Sequence, residues 1–422
     1  MQQKYGSKLL LITLFLVSVL GFSCTSLSQN TSNVVVEKLG NPSADDGLKG
    51  RALNVWELKA FDNKIYLGGG SVAGNVGPIN VWAYDPVQDS FIQEYTVREE
   101  AIEHFQIIDD ALYLPAADPR GNDRHKYYRK QVGGTWQRFS SPAVKLAHVR
   151  GLVKLDDGSL LMVGNGRTFK NTKTQPPGAA ITRDDGATFE EVKVTGIPPA
   201  DNLILIDLSW FLTVFPFDER IYALNSLLRD TGGFKGNIAV YNEDTQELEL
   251  DLTLGSEEFI PPDNIDGQAG KYGLDTIYHL WQTEEFNNSL VYSVKSFSNI
   301  DRNNSIRKNY LNSLGLYVKE SMGTPPQEIN FGQQAVGEDL LVIGQELYAL
   351  ANQKHGDQDF TVYVYKTDTP QDSDSWQKVL SFKSTNRARS FEHLDGTFYF
   401  GLGQDFGEAI ANSGDILRYT LP

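Results

Sequence analysis

The sequence predicts an all-β chain folded as a seven-bladed β-propeller of four-stranded antiparallel blades. Three observations carry that expectation. First, an apolar run, a tight polar turn and a second apolar run recur seven times, from Leu58, Phe105, Gly151, Phe215, Trp281, Ala335 and Phe391, the sixth copy being the least regular. Second, further β-rich runs follow the pattern, as in INVWAYDP from Ile79 and SFIQEYTV from Ser90, or FTVYVYKTDT from Phe360 and WQKVLSF from Trp376. Third, helical periodicity is almost absent, and four antiparallel strands every 47 to 70 residues is the period of a propeller blade.

The turns of the repeat are built from Asp, Asn, Glu and Gly, as in FDNK, IDDA, LDDG and LDGT. These residues favour two-residue hairpins because they tolerate positive φ or hydrogen-bond their own backbone. The C-terminal ILRYTLP from Ile416 is expected to complete or close the last blade.

Ahead of the repeats lies a targeting segment. Lys4 and Lys8 form a basic region, and Leu9 to Leu20 an apolar run short for a membrane span. The only cysteine follows at once, in Leu20-Gly21-Phe22-Ser23-Cys24. This arrangement resembles a bacterial lipoprotein signal, with Cys24 as the lipidated first residue of the mature chain, although Gly21 and Phe22 depart from the usual pattern. The expected organisation is residues 1–23 as signal, 24–48 as a flexible tether rich in Ser, Asn and Gly, and 49–422 as the propeller. Val34 to Val36 is the one β-like patch in the tether, either a strand that closes the fold or a sticky point in a linker. Membrane anchoring through Cys24, facing the periplasm or exterior, is the expected location, and the protein is expected to be monomeric.

Composition narrows the partners. The chain has 422 residues and a net charge of −16, so phosphates are repelled and nucleic acid is not an expected partner. Hydrophobic content of 40% with 11% aromatics suffices for a packed core.

One octapeptide is a recognisable motif. Thr182-Arg183-Asp184-Asp185-Gly186-Ala187-Thr188-Phe189 matches the Asp-box pattern Ser/Thr-x-Asp-x-Gly-x-Thr-Trp/Phe. Asp185-Gly186 should make the turn, Asp184 bond the turn amides and Phe189 pack beneath. The stretch resembles the Asp-box and kelch-like propellers, a group that includes sialidases, sortilin-like receptors and a photosystem-assembly lipoprotein. The resemblance implies the fold, since the Asp box in those families is a peripheral hairpin remote from any active site.

A site is expected on the face where second-to-third strand loops open. Those loops are long and polar: residues 68–78, 116–126, 165–178, 225–235, 296–307, 352–359 and 403–414. Long loops on a rigid scaffold are where binding concentrates. Aligned on the turn, the repeats place Asn54, Ala101, His148, Trp210, His279, Asn330 and Arg387 at one level near the channel mouth. Two residues later come Trp56, Glu103, Arg150, Leu212, Trp281, Gly332 and Arg389. Aromatics beside Arg, His and Asn suit a sugar or anionic small molecule; a water-filled polar channel is the competing reading. The ligand-binding candidates are Asn54, Trp56, Glu103, His148, Arg150, His279, Trp281, Arg387 and Arg389.

No cofactor is expected. His148, His279 and Glu103 have no metal-motif spacing, and Asp263, Asp266 and Asp275 could hold calcium only outside an EF-hand spacing. Gly68-Gly69-Gly70 precedes no helix, and no Gly-x-Ser-x-Gly elbow is present. Two functions remain open. A binding or scaffold module would present its long-loop face to a protein or glycan. The alternative is a sialidase-like glycoside hydrolase or lyase, with Arg120, Arg150, Arg167 and Arg389 near Glu103 and Asp118. The Phe/Tyr-Arg-Ile-Pro motif of such enzymes is missing, which favours the binder.

Overall fold

Tight turns set the register of the blades. Asp62 and Asn63, Asp218 and Glu219, and Asn287 and Asn288 all have φ between 50° and 60°, and Asp395-Gly396 follows at 48° and 76°. Two consecutive positive-φ residues make the hairpin turn whose twist matches that of the strands. In the computed structural model, residues 34–71, 76–119, 125–141, 143–166, 177–196, 211–225, 227–228, 238–251, 253–255, 258–260, 276–299, 309–332, 334–404 and 409–421 are described. They form a seven-bladed β-propeller of antiparallel four-stranded blades, with short fifth strands added to two of them. The leader, Cys24, Arg120, Arg167, Trp210 and the three calcium candidates lie outside the described residues.

The inner strands, in order, are Leu58–Phe61, Gln106–Ile108, Leu146–Lys154, Phe211–Phe217, Thr276–Phe286, Val336–Ile343 and Arg387–Leu394. Alternating side chains on each sheet supply two apolar faces, and each face packs on the next blade. Tyr66, Ile102 and Leu112 join blades 1 and 2, Val163, Phe211 and Ala239 join blades 3 and 4, and Leu350, Phe391 and Phe400 join blades 6 and 7. The core is thus a ring of interfaces around the axis.

The ring closes with the N-terminal chain. Blade 7 consists of Arg387–Leu394, Thr397–Gly403 and Ile416–Thr420, and its outer strand is Glu37–Gly40, paired antiparallel to Ile416–Thr420. Arg418 binds Glu37 at 2.7 Å and Lys38 binds Asp415 at 2.7 Å. Val34 and Val36 pack beside blades 6 and 7, and the Val34 amide donates to the Ser381 carbonyl. The stretch assigned to the end of the tether is therefore propeller. Its pairing with an otherwise open edge outweighs its Ser/Asn/Gly-rich composition, and a short helix at Pro42–Asp45 leads into blade 1.

Blade 6 differs in a second way. The loop expected at residues 352–359 is mostly strand: Glu346–Gly356 and Asp359–Thr367 pair almost to their ends, leaving only a two-residue connection. Polar residues such as Gln353 and Lys354 extend the ladder because backbone pairing does not depend on side-chain polarity, and His355, passed over in the register, bonds Thr361 at 2.8 Å.

The octapeptide Thr182–Phe189 forms a tight turn held by its own side chains. Asp185 and Gly186 take φ of 58° and 87°, and Asp184 accepts from the Thr188 amide at 2.8 Å. Phe189 packs against Tyr127 at 6.1 Å. The hairpin also latches blade 3 to blade 2, because Asp185 receives both guanidinium nitrogens of Arg129, which lies over Phe139 at 4.7 Å. Asp185 is mostly exposed, so Arg129→Met should lower unfolding stability by only about 1 kcal/mol. Chemical denaturation checks this, and an unchanged midpoint would mean that the latch adds nothing.

Candidate functional site

Every inner strand from blade 3 onward is bent at one level. In blade 4, Phe211 pairs with Asn225 and Thr213 with Leu224, so Leu212 has no opposite residue. Trp281, Glu338 and Arg389 are skipped in the same way in blades 5, 6 and 7. In blade 3 the register passes from Ala147 to Gly151, which sets aside His148, Val149 and Arg150, with His148 at φ 47°. A β-bulge re-aims the side chain of its extra residue, and bulges concentrate near functional sites. Trp56 and Glu103 stand just ahead of the inner strands of blades 1 and 2.

The sixth blade corrects the alignment. Its turn lies between Ile343 and Glu346, so its two members are Val336 and Glu338, not Asn330 and Gly332. Glu338 is absent from the candidates because the irregular repeat hides that turn. The glycine of Val342-Ile343-Gly344-Gln345-Glu346-Leu347, set between two alternating apolar runs, is the signal that locates it.

The candidates converge on one another. The indoles of Trp56 and Trp281, from the non-adjacent blades 1 and 5, stack at 5.5 Å with planes 27° apart. Contact between such distant blades places the pair across the axis. The Arg389 guanidinium lies 4.4 Å from the Trp56 ring, while Lys295 Nζ lies 5.2 Å and the His104 ring 4.4 Å from Trp281. Trp56 Nε1 donates to the Gly70 carbonyl at 2.8 Å. Trp56 is 3% exposed and Trp281 half-buried, so the Trp56 half of the expected aromatic platform is covered from within the protein.

The charged groups pair in the same manner. Glu338 Oε1 accepts from Lys295 Nζ at 2.7 Å and from Arg387 Nη2 at 3.2 Å. Arg389 Nη1 donates to the Gln404 carbonyl at 3.2 Å, and the Gln404 amide donates to Asn54 Oδ1 at 2.8 Å. Arg150 is ion-paired with Glu103. His148 Nδ1 donates to the Ala117 carbonyl at 3.0 Å and lies 3.4 Å from Asp118. All nine candidates thus belong to the mouth of one axis.

Burial sets the protonation of this cluster. It pushes His279 down to about 3, with Arg150 adding to the effect and Glu103 opposing it, so His279 is neutral. Burial alone would raise Glu338, but Arg387, Lys295 and Arg389 outweigh it and hold the carboxylate below its ordinary range. Burial lowers Lys295, and Glu338 opposes that shift.

A second layer is acidic. Lys59 stands in the field of Glu392, Glu57, Glu284 and Asp339. Burial raises Asp339 to about 7, against the Ser390 hydroxyl and the Phe391 amide. Toward the blade 1–2 crossing, burial raises Glu99 to about 8, although the Tyr128 hydroxyl and the Asp118 amide each bond it at 3.1 Å. Among the described residues no group of three or more His, Cys, Asp or Glu is placed to hold a metal ion.

The chain matches no known family model and no curated protein. Among solved structures it is similar to Ika8, a computationally designed protein, at 10% identity and a TM-score of 0.47 over 91% of this chain and 100% of that one. It is also similar to the periplasmic gluconolactonase of Pseudomonas aeruginosa, at 12% identity and a TM-score of 0.41 over 85% and 99%. The β-propeller domain of the trilobed protease from Pyrococcus furiosus gives 10% identity and 0.41 over 84% and 91%. Likenesses this distant say nothing about the chemistry of this chain.

Asp339 and Glu99 give the site a pH dependence. Both have folded values above the ordinary carboxylate range, so the folded protein holds protons that the unfolded chain releases. Their contribution is fully present below about pH 4 and is lost as the pH rises through 7 and 8, at up to about 1.4 kcal/mol per pH unit for each proton. Asp339→Asn should flatten the fall in unfolding free energy between pH 4 and 7 relative to the parent. Parallel slopes in denaturant titrations would refute the assignment.

Proposed function

We propose that the protein is a membrane-anchored, extracytoplasmic propeller that works by binding a protein or glycan partner through its long-loop face. The observation that supports this best is the mutual pairing at the axis. Glu103 is committed to Arg150, Glu338 to Lys295 and Arg387, and Asp118 lies beside His148. A glycosidase needs carboxylates poised on a substrate, one as acid and one as base or nucleophile. Here each carboxylate at this level faces a cation or an imidazole of its own chain, and two indoles stack over the axis. The sialidase-like alternative rests on its arginines, of which the two described ones, Arg150 and Arg389, lie at the axis.

Anchoring at Cys24 is the second half of the proposal. The first described residue, Val34, lies at the junction of blades 6 and 7. Nine residues separate it from Cys24, room for about 30 Å of extended chain.

Two measurements test these halves separately. Cys24→Ser should move the protein from the membrane fraction to the soluble one; persistent tight association would remove the anchor from the proposal. A photo-crosslinker at Asp357, fully exposed on the long-loop side of blade 6, should capture a partner that one at the exposed Val87, in a turn at the opposite end of blade 1, does not. Equal capture from both positions, or turnover of a fluorogenic sialoside that Glu103→Gln abolishes, would favour another function.

A further inference from the structure

The axis buries cations against its indoles. The Lys295 side chain is 1% exposed and Arg389 2%, and both lie against the Trp56–Trp281 stack. Burying an ion is unfavourable unless its partners compensate closely, and apolar side chains of similar size often hold such a place at least as well. Lys295, Arg387 and Arg389 all act on a single carboxylate, that of Glu338. Solvent reaches the cluster along the partly exposed edges of Arg387, Arg150 and His148. Glu338 is carried on a bulge, where the ladder is already interrupted. Its neighbour Asp339, by contrast, is fixed by the Phe391 amide.

We infer that the mouth is a binding site for a small oxyanion (a carboxylate, sulfate or phosphate group) held shut by its own glutamate. The Glu338 carboxylate occupies the place between Lys295 and Arg387 that the oxyanion of a ligand takes. Replacing one oxyanion by another keeps Lys295 compensated. Withdrawing Glu338 with no replacement leaves that buried ammonium without its closest partner. Charge-assisted bonds from an ammonium and a guanidinium are the usual means of holding such a group. The inference does not depend on the rim partner proposed above, and the two can fail independently.

The test uses the full chain with acetate, sulfate or phosphate, against chloride at equal ionic strength. Glu338→Gln keeps the shape of the side chain and removes its charge. It should bind each oxyanion at least about tenfold more tightly than the parent, read from the fluorescence of the stacked indoles and from a rise in Tm over that in chloride. Adding Lys295→Met should abolish the gain. A Glu338→Gln protein that folds in acetate or sulfate but not in chloride supports the same conclusion. A folded Glu338→Gln protein that responds to oxyanions no more than to chloride overturns it. Should Glu338→Gln fold in neither salt, Glu338→Ala is tested for refolding by added acetate, and failure of that rescue also overturns the inference.

Discussion

Seven inner strands meet around one axis and present edges to it; among the described residues only blade 5 has part of that edge covered, by Leu227–Leu228 paired with the start of its inner strand. Unpaired backbone N–H groups buried there are unfavourable, and the solution repeats around the ring. A side chain on one inner strand accepts from an amide of the next. Glu57 takes the Phe105 amide, Gln106 the Leu152 amide, Gln282 the Leu340 amide and Asp339 the Phe391 amide, and Ser390 and Glu392 take those of Leu58 and Ala60. These bonds fix the blades at one radius. They also require acceptor side chains at the axis, so a polar lining is first a consequence of closing the ring.

That requirement separates the two layers. The lower one, with Glu57, Asp339 and Glu392 around Lys59, is explained by the amides it accepts. The upper one is not. Trp281, Glu338 and Arg389 sit on bulges, where the ladder asks nothing of their side chains, yet they are large, charged or aromatic and turned to the axis. Bulges recurring at one level convert a structural edge into a ring of free choices. The choices made here set two indoles against each other across the axis, with Arg389 against Trp56 and Lys295 against Trp281, and concentrate charge at that level.

Much of this was legible in the sequence because a propeller repeats its local signals. Alternation on either side of a turn built from Asp, Asn, Glu or Gly locates six inner hairpins, and counting back from the turn reaches Trp56, Glu103, Arg150, Trp281 and Arg389 without knowledge of the fold. The sixth repeat defeats that count because Gly344-Gln345 is a weak turn signal, and Glu338 is lost with it. Partnership is harder to read. Nothing in the spacing of Trp56 and Trp281 says that they stack, because they come from blades that do not touch except at the axis. Lys295 is likewise invisible, since it lies on a second strand and reaches the mouth from behind. The closing strand at Glu37–Gly40 hides in a Ser/Asn/Gly-rich stretch because its partner, Ile416–Thr420, is at the other end of the chain.

Net charge is a poor guide to a molecule built this way. The chain carries −16, yet its acids and bases are sorted by the chemistry of their positions. Hairpin turns demand Asp and Asn, so Asp62, Asp109, Asp218, Glu219 and Asp395 gather at the turn end of the blades. No such demand acts where the inner strands begin, and Arg150, Arg387 and Arg389 stand there. Arg150 and Arg387 are paired there with Glu103 and Glu338, so charge at that end is balanced more closely than at the turn end. A net charge of −16 is therefore compatible with cations gathered at the axis, and the distribution of charge along that axis, not its sum, bears on what the mouth can hold.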